Sequence, residues 1–278
     1  MKNKYILLAI ILMAAISACD VIEPPYKKGD VVPPADTAKR KVLLEDFTGF
    51  RCGNCPEAGH LGEQLVDLYN GQVIMISLHA GPLSVPTPIR KYDFRTPETK
   101  ELGTFYNLTA TPYGMVNRGI YNNQTLLAPS SWGGYVAEQL LKEAVVKIGL
   151  TGSYNQSSRE ISVDVKLDFI KESSVNQFLA VYIIEDSVVQ YQQDDRQYPN
   201  INDLDFVHNN VMRGSINGTW GLMIGQVPIN AGQSVTIPLT YLITEEKDWR
   251  PEKLSLVAFV HNNDTKEILQ VEKIPLFK

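Results

Sequence analysis

The pattern of apolar and polar positions changes character three times along the chain. Residues 5–16 are an unbroken apolar run behind Lys2 and Lys4. The run is short for a membrane span and suits the core of an export signal. Residues 20–40 have no apolar period and contain Pro24, Pro25, Pro33 and Pro34, which favour extended chain and block helix. A compact apolar run at 42–47 then predicts a buried strand. Leu61, Leu65, Val66, Leu68 and Tyr69 recur at helical spacing, predicting a helix over 57–69 that Asn70-Gly71 ends. Residues 73–78 predict a second buried strand. Further helices are expected near 97–106 and at 131–144, with a short strand at 114–118 between them. Beyond residue 145 the period falls from 3.6 to 2. Ile161, Val163, Val165, Leu167 and Phe169 alternate with Ser162, Asp164, Lys166 and Asp168, as in a strand with one wet face. Strands are likewise expected at 178–184, 188–191, 233–241, 254–261 and 268–274. Residues 192–223 interrupt this rhythm as a long, polar, strand-poor loop.

These patterns divide the chain into a signal (1–18), a tether (19–40), an α/β domain (41–146) and an antiparallel β-sandwich of immunoglobulin-like type (147–278). The sandwich contains no cysteine. With 278 residues, 44% hydrophobic and 21% charged, the composition is globular and excludes collagen, coiled coil and long-range disorder. A formal charge of -5 with no basic block argues against a nucleic-acid partner. No cofactor is expected.

The three cysteines have separate places. Cys19 follows Ile16-Ser17-Ala18, which resembles a bacterial lipobox, where the signal is cut before the cysteine and the thiol is lipidated. Cleavage there removes Lys2 and Lys4 and no acid, taking the formal charge from -5 to -7. The membrane is then a partner through the lipid alone. Asp20 and Glu23 resemble a surface-export signal of outer-membrane lipoproteins, and Asp36-Thr37-Ala38 a glycosylation acceptor.

Cys52-Gly53-Asn54-Cys55 lies between a predicted strand and the start of a predicted helix. Free N–H groups and the helix dipole stabilise a thiolate there. Cys52 is expected to be the more exposed sulfur and to attack, and Cys55 to resolve the mixed disulfide. An inert structural disulfide fits the same residues in an exported protein. A zinc site lacks a second pair of ligands, so no metal is expected.

Strand, CxxC, helix and strand together resemble the thioredoxin-like superfamily. Asp46, six residues before Cys52, matches the buried acid that helps deprotonate the resolving cysteine. Ala110-Thr111-Pro112 resembles the turn with a cis-proline that faces the cysteine pair, which assigns Thr111 and Pro112 to the site. Arg51 and the Gly-Asn inside the motif depart from the family pattern.

In the long loop, His208 with Asn209 and Arg213 is expected to make an interdomain or ligand contact. Lipobox, Pro-rich tether, CGNC, His208-Asn209-Asn210-Val211-Met212-Arg213 and Val257-Ala258-Phe259-Val260-His261-Asn262 together resemble the 28-kDa outer-membrane protein family of Bacteroides-type bacteria. The resemblance implies a lipid-anchored outer-membrane protein, surface-exposed, with an adhesin or receptor role toward a protein or cell-surface ligand. The alternative from the residues is an envelope thiol–disulfide oxidoreductase using Cys52 and Cys55, the enzymatic reading of the chain.

Overall fold

The computed structural model describes residues 39–277, which fall in one compact unit. The signal, Cys19, the tether and Asp36-Thr37-Ala38 lie outside the described residues. Among the described residues no helix is long and apolar enough to cross a membrane.

Strand β1 (Val42–Thr48) is buried along its whole length. Helix α1 (Cys55–Leu68) carries the chain across to β2 (Val73–His79), parallel to β1 with Asp46 opposite Ser77 and Thr48 opposite His79. A parallel pair needs such a crossover, and strands covered on both faces read as continuous apolar runs. Helix α2 (Pro97–Phe105) starts at a capping box between Thr96 and Thr99. Strand β3 (Tyr113–Val116) returns antiparallel to β1, and helix α3 (Trp132–Leu140) follows. On one face of β1 and β2, Val42, Leu44, Val73 and Met75 pack with Ala58 of α1 and with Trp132 and Val136 of α3. The opposite face buries Leu43, Phe47, Ile74 and Ile76.

The second half is built of strands. They are β4 (Val146–Asn155), β5 (Glu160–Phe169), β6 (Gln177–Glu185), β7 (Val188–Gln193), β8 (Asn202–His208), β9 (Val211–Ser215), β10 (Leu222–Met223), β11 (Ser234–Leu242), β12 (Leu254–Asn262) and β13 (Ile268–Pro275). Strands β11, β5 and β4 make a three-stranded sheet, with Pro238 of β11 tolerated because β11 is at its edge. The wet-faced pattern of β5 is observed as expected. Its apolar side packs with Leu179, Val181 and Ile183 of β6 and with Leu254, Leu256 and Ala258 of β12.

The eight-stranded sheet is a difference from the sequence reading. Its order is β13-β12-β6-β9-β2-β1-β3, with β10 also on β6. Strand β9 pairs in parallel with β2 and antiparallel with β6, so strands from both sides of residue 146 share one sheet. The architecture is thus mixed α/β, rich in strands, with several sheets. The stretch 192–223 also differs: it holds β8, β9 and β10. Strand β9 escaped detection because all five of its residues are buried, which leaves no alternation to read.

A fully buried ion pair lies inside this sheet system. Arg118 and Glu45 are both 0% exposed in their side chains and pair through two contacts of 2.6 and 2.7 Å. The guanidinium also donates to the Tyr182 hydroxyl at 3.2 Å and lies 5.0 Å from the Phe259 ring centre.

Candidate functional site

The site begins where β1 ends. Thr48-Gly49-Phe50-Arg51 turns the chain into the cysteine loop, with Cys52 N–H donating to the Gly49 carbonyl at 2.9 Å. Cys52 and Cys55 are joined in a disulfide, their Cα atoms 5.3 Å apart. Asn54 is the cap of α1, Pro56 lies in its first turn and Glu57 adds an acid there. Proline suits this position because the first N–H groups of a helix have no internal partner.

Alternation along β1 and β2 places Asp46, Thr48, Ser77 and His79 on the face that α1 covers. These side chains, with Cys55, His60, Glu63 and His208, line a cleft of about 210 Å³ between α1 and the β7–β8 hairpin. The Asp46 carboxyl is 2% exposed, and its Oδ1 has no hydrogen-bond partner. Burial alone pushes it up to about 8, so the acid is mostly neutral at pH 7. His79 is buried with neither ring nitrogen partnered, stacked on Phe94 at 4.2 Å and 5.5 Å from the His208 ring. Burial first, then the nearby His208 and Arg213, hold His79 well below its ordinary value. Burial takes His208 down to about 4. Both imidazoles are therefore neutral near pH 7. His60 is exposed at the rim against Gln64.

The expected difference in exposure between the sulfurs is absent, and this corrects the sequence reading. Cys52 is 3% exposed and Cys55 2%. The cover comes from the far side of the sequence. Gln193 N–H donates to the Phe50 carbonyl at 2.8 Å and Asp195 N–H to the Gly53 carbonyl at 3.0 Å. The Gln192 amide donates to the Cys52 carbonyl at 3.0 Å. The exposed Asp195 carboxylate stands where a Cβ on Gly53 would come, so a larger residue there would have to push that side chain aside.

Thr111-Pro112 is a cis peptide. It leads into β3 at Tyr113, which pairs with Phe47, so the turn stands beside the end of β1. Neither residue lines the cleft shared by Asp46 and Cys55. His208 does line it. Asn209 accepts from Ser187 N–H at 3.0 Å and its amide reaches Glu63 at 3.4 Å, joining the hairpin to α1. Arg213 is buried in an internal network, with Glu185 at 3.2 Å, the Tyr92 hydroxyl at 2.8 Å and Asp248 also in contact. Among the described residues no group of three His, Cys, Asp or Glu side chains could hold a metal ion. His79, Gln192 and Asp195 were not singled out by the sequence reading. Nothing local marks them, because each acquires its position through a distant pairing.

Comparison with known proteins places this geometry in a family. The model of the outer membrane protein Omp28 family matches residues 99–276. That is more than half of the chain, which therefore belongs to this family of outer membrane proteins. Among solved structures, HBP35 of Porphyromonas gingivalis is similar at 14% identity and a TM-score of 0.64, over 86% of this chain and 76% of that one. Protein AGR_C_4864 from Agrobacterium tumefaciens is similar at 13% identity and a TM-score of 0.53, over 87% and 96%. A domain of the outer membrane lipoprotein Omp28 from Porphyromonas gingivalis aligns at 22% identity and a TM-score of 0.33, over 48% of this chain and 89% of that one. No curated protein matches the sequence.

Proposed function

We propose that this member of the Omp28 family is held at the outer membrane by a lipid on Cys19 and carries a thioredoxin-like thiol–disulfide centre at Cys52 and Cys55. In this reading a thioredoxin-like module, β1 to α3, is joined to an immunoglobulin-like sandwich through the strand β9. The observation that carries the chemistry is the neutral Asp46 carboxyl in the same cleft as Cys55, with its Oδ1 unpartnered. A buried carboxylic acid is costly to ionise and serves as a proton store. It can protonate the Cys55 thiolate when the disulfide opens and take the proton back when it closes. Cys52 is the attacking sulfur, and the cis Thr111-Pro112 turn, beside the end of β1, is the turn that the resemblance assigns to the site. An inert disulfide needs no such acid.

The test is catalysed reduction of insulin by dithiothreitol. The intact protein is expected to accelerate it and Cys52→Ser to abolish the acceleration. Equal rates with and without the intact protein would remove the proposal.

A binding role of adhesin or receptor type is the second reading. It draws on the β7–β8 hairpin, where Val189, Leu204 and Val207 are each about half exposed or more. Adherence that survives Cys52→Ser but is lost when these three become serine would favour it.

A further inference from the structure

Three buried ring nitrogens in the cleft beside Asp46 have no hydrogen-bond partner in the protein. They are Nδ1 and Nε2 of His79 and Nε2 of His208. A buried polar atom left so costs about 1–3 kcal/mol, and a phenylalanine in place of either histidine would avoid that cost. The ring of His79 is held by its face, stacked on Phe94 with an angle of 11° between the planes, which leaves both nitrogens open. His208 hydrogen-bonds to the backbone of Tyr191 and Gln190 and keeps Nε2 open. Asp46 sits opposite Ser77, so His79 stands one strand over and two residues on along the same face. The strand spacing and rise put such positions about 8 Å apart. The two ring centres are 5.5 Å apart, within reach of a proton transfer directly or through one water. Asp46, His79 and His208 are buried, whereas His60 and Glu63 of α1 stand exposed at the mouth of the cleft.

We infer that His79 and His208 are a proton relay between Asp46 and solvent. The inference rests on the exchange reading above. When a dithiol opens the pair, its first thiolate bonds to the Cys52 sulfur. The Cys55 sulfur leaves with the electron pair of the broken bond and takes the Asp46 proton. The second thiolate then displaces Cys52, and the dithiol ends as a disulfide. Asp46 is left as a carboxylate with no water around it, a costly state. One nitrogen of His79 gives it a proton, and the other takes one from His208 Nε2, which is supplied by water at the mouth. The two protons shed by the dithiol enter the solvent, and Cys52 and the relay each take one back. Closing runs the same steps in reverse and restores the His79 tautomer.

The charged and titratable groups around the two rings are Asp46 on β1, His60 and Glu63 on α1, Arg196 after β7, Asp203 on β8 and Arg213 on β9. Arg213 disfavours a positive charge on His79, so a proton passes through that ring and does not rest there.

The test reads single turnovers in both directions by alkylation and mass spectrometry. Opening is driven by dithiothreitol on the oxidised protein, and closing by insulin on the reduced one. Opening starts with the Asp46 proton in place, whereas closing requires that Asp46 first lose its proton through the relay. His79→Phe keeps an aromatic ring against Phe94 and is expected to slow closing about tenfold or more and opening less than about threefold. His79→Ala is expected to regain its closing rate when imidazole is added to the buffer, with no response from the intact protein. Equal slowing in both directions, no slowing of closing, or no rescue by imidazole would each overturn the relay. If the intact protein neither opens nor closes, the exchange reading itself fails. Should the His79 variants not fold, His208→Phe is expected to show the same difference between closing and opening, and its absence overturns the relay.

Discussion

Replacing Asp46 by Asn is expected to stabilise the protein at alkaline pH and to slow disulfide exchange about a hundredfold. The two effects have one cause. Asp46 is 2% exposed on β1, and burial raises its folded-state value to about 8. In the unfolded chain an aspartate titrates near 3.9, roughly. A raised folded-state value means stability is fully present below the unfolded value and is lost as pH climbs through the folded one. Stability should therefore fall between about pH 4 and pH 8 and then level. Asparagine has the same shape and no proton to lose, so the variant escapes this fall. Its advantage over the native chain should widen between about pH 5 and pH 8.5, by on the order of 4 kcal/mol at most. Urea midpoints at the two pH values measure it, and an advantage independent of pH would show that Asp46 is not held neutral. The same amide cannot hand a proton to Cys55, so the exchange rate of the variant should drop while its fold is firmer. A destabilised variant with slow exchange would indicate ordinary structural damage instead.

The largest loss of stability is expected at Arg118. Its pairing with Glu45 is closed to water on both sides, and Tyr182 and Phe259 complete the enclosure. Removing one partner strands the other charge without solvent, and such losses run to about 3–5 kcal/mol. Arg118→Met should show this as a lowered urea midpoint. The double change Glu45→Leu with Arg118→Met should recover much of it, because a pair of apolar side chains has no stranded charge. If the double variant is as unstable as the sum of both single ones, the penalty comes from packing and not from the isolated carboxylate.

The site was legible where its chemistry is local. Val42 to Leu78 contains the strand, the cysteine loop, the helix and the second strand in unbroken order, so Cys52 and Cys55 stood out by their place in it, and Asp46 through the resemblance to the thioredoxin-like superfamily. Strand β5 was legible for the same reason, since its one wet face imposes a period of 2. Strand β4 carries the same alternation at Val146, Ile148 and Leu150, but Gly149 and Gly152 dilute it. In β8, Leu204, Phe206 and His208 alternate with polar or exposed positions, yet the density of Asp and Asn reads as loop. Strand β9 offers no periodic signal, because both its faces are covered, with Met212 in the core beside Leu43 and Tyr182 and Val211 beside Phe50, Phe94 and Val188. The cover over Cys52 is the least legible feature. It is made by backbone N–H groups of Gln193 and Asp195, and every residue but proline has one. The same long-range pairing explains Arg213. An interdomain or ligand contact is expected of it from the sequence, and it lies within the fold against Glu185, Asp248 and the Tyr92 hydroxyl of the first half.

The central claim is that Cys52 and Cys55 form a working redox pair, covered at rest. The most direct measurement is the reduction potential of that pair in the intact protein, set by equilibration against graded thiol–disulfide buffers and read by alkylation and mass spectrometry. An exchanging pair should titrate above about -300 mV, within reach of other envelope dithiols. A value below about -300 mV would mark a disulfide that stays closed and would contradict the account.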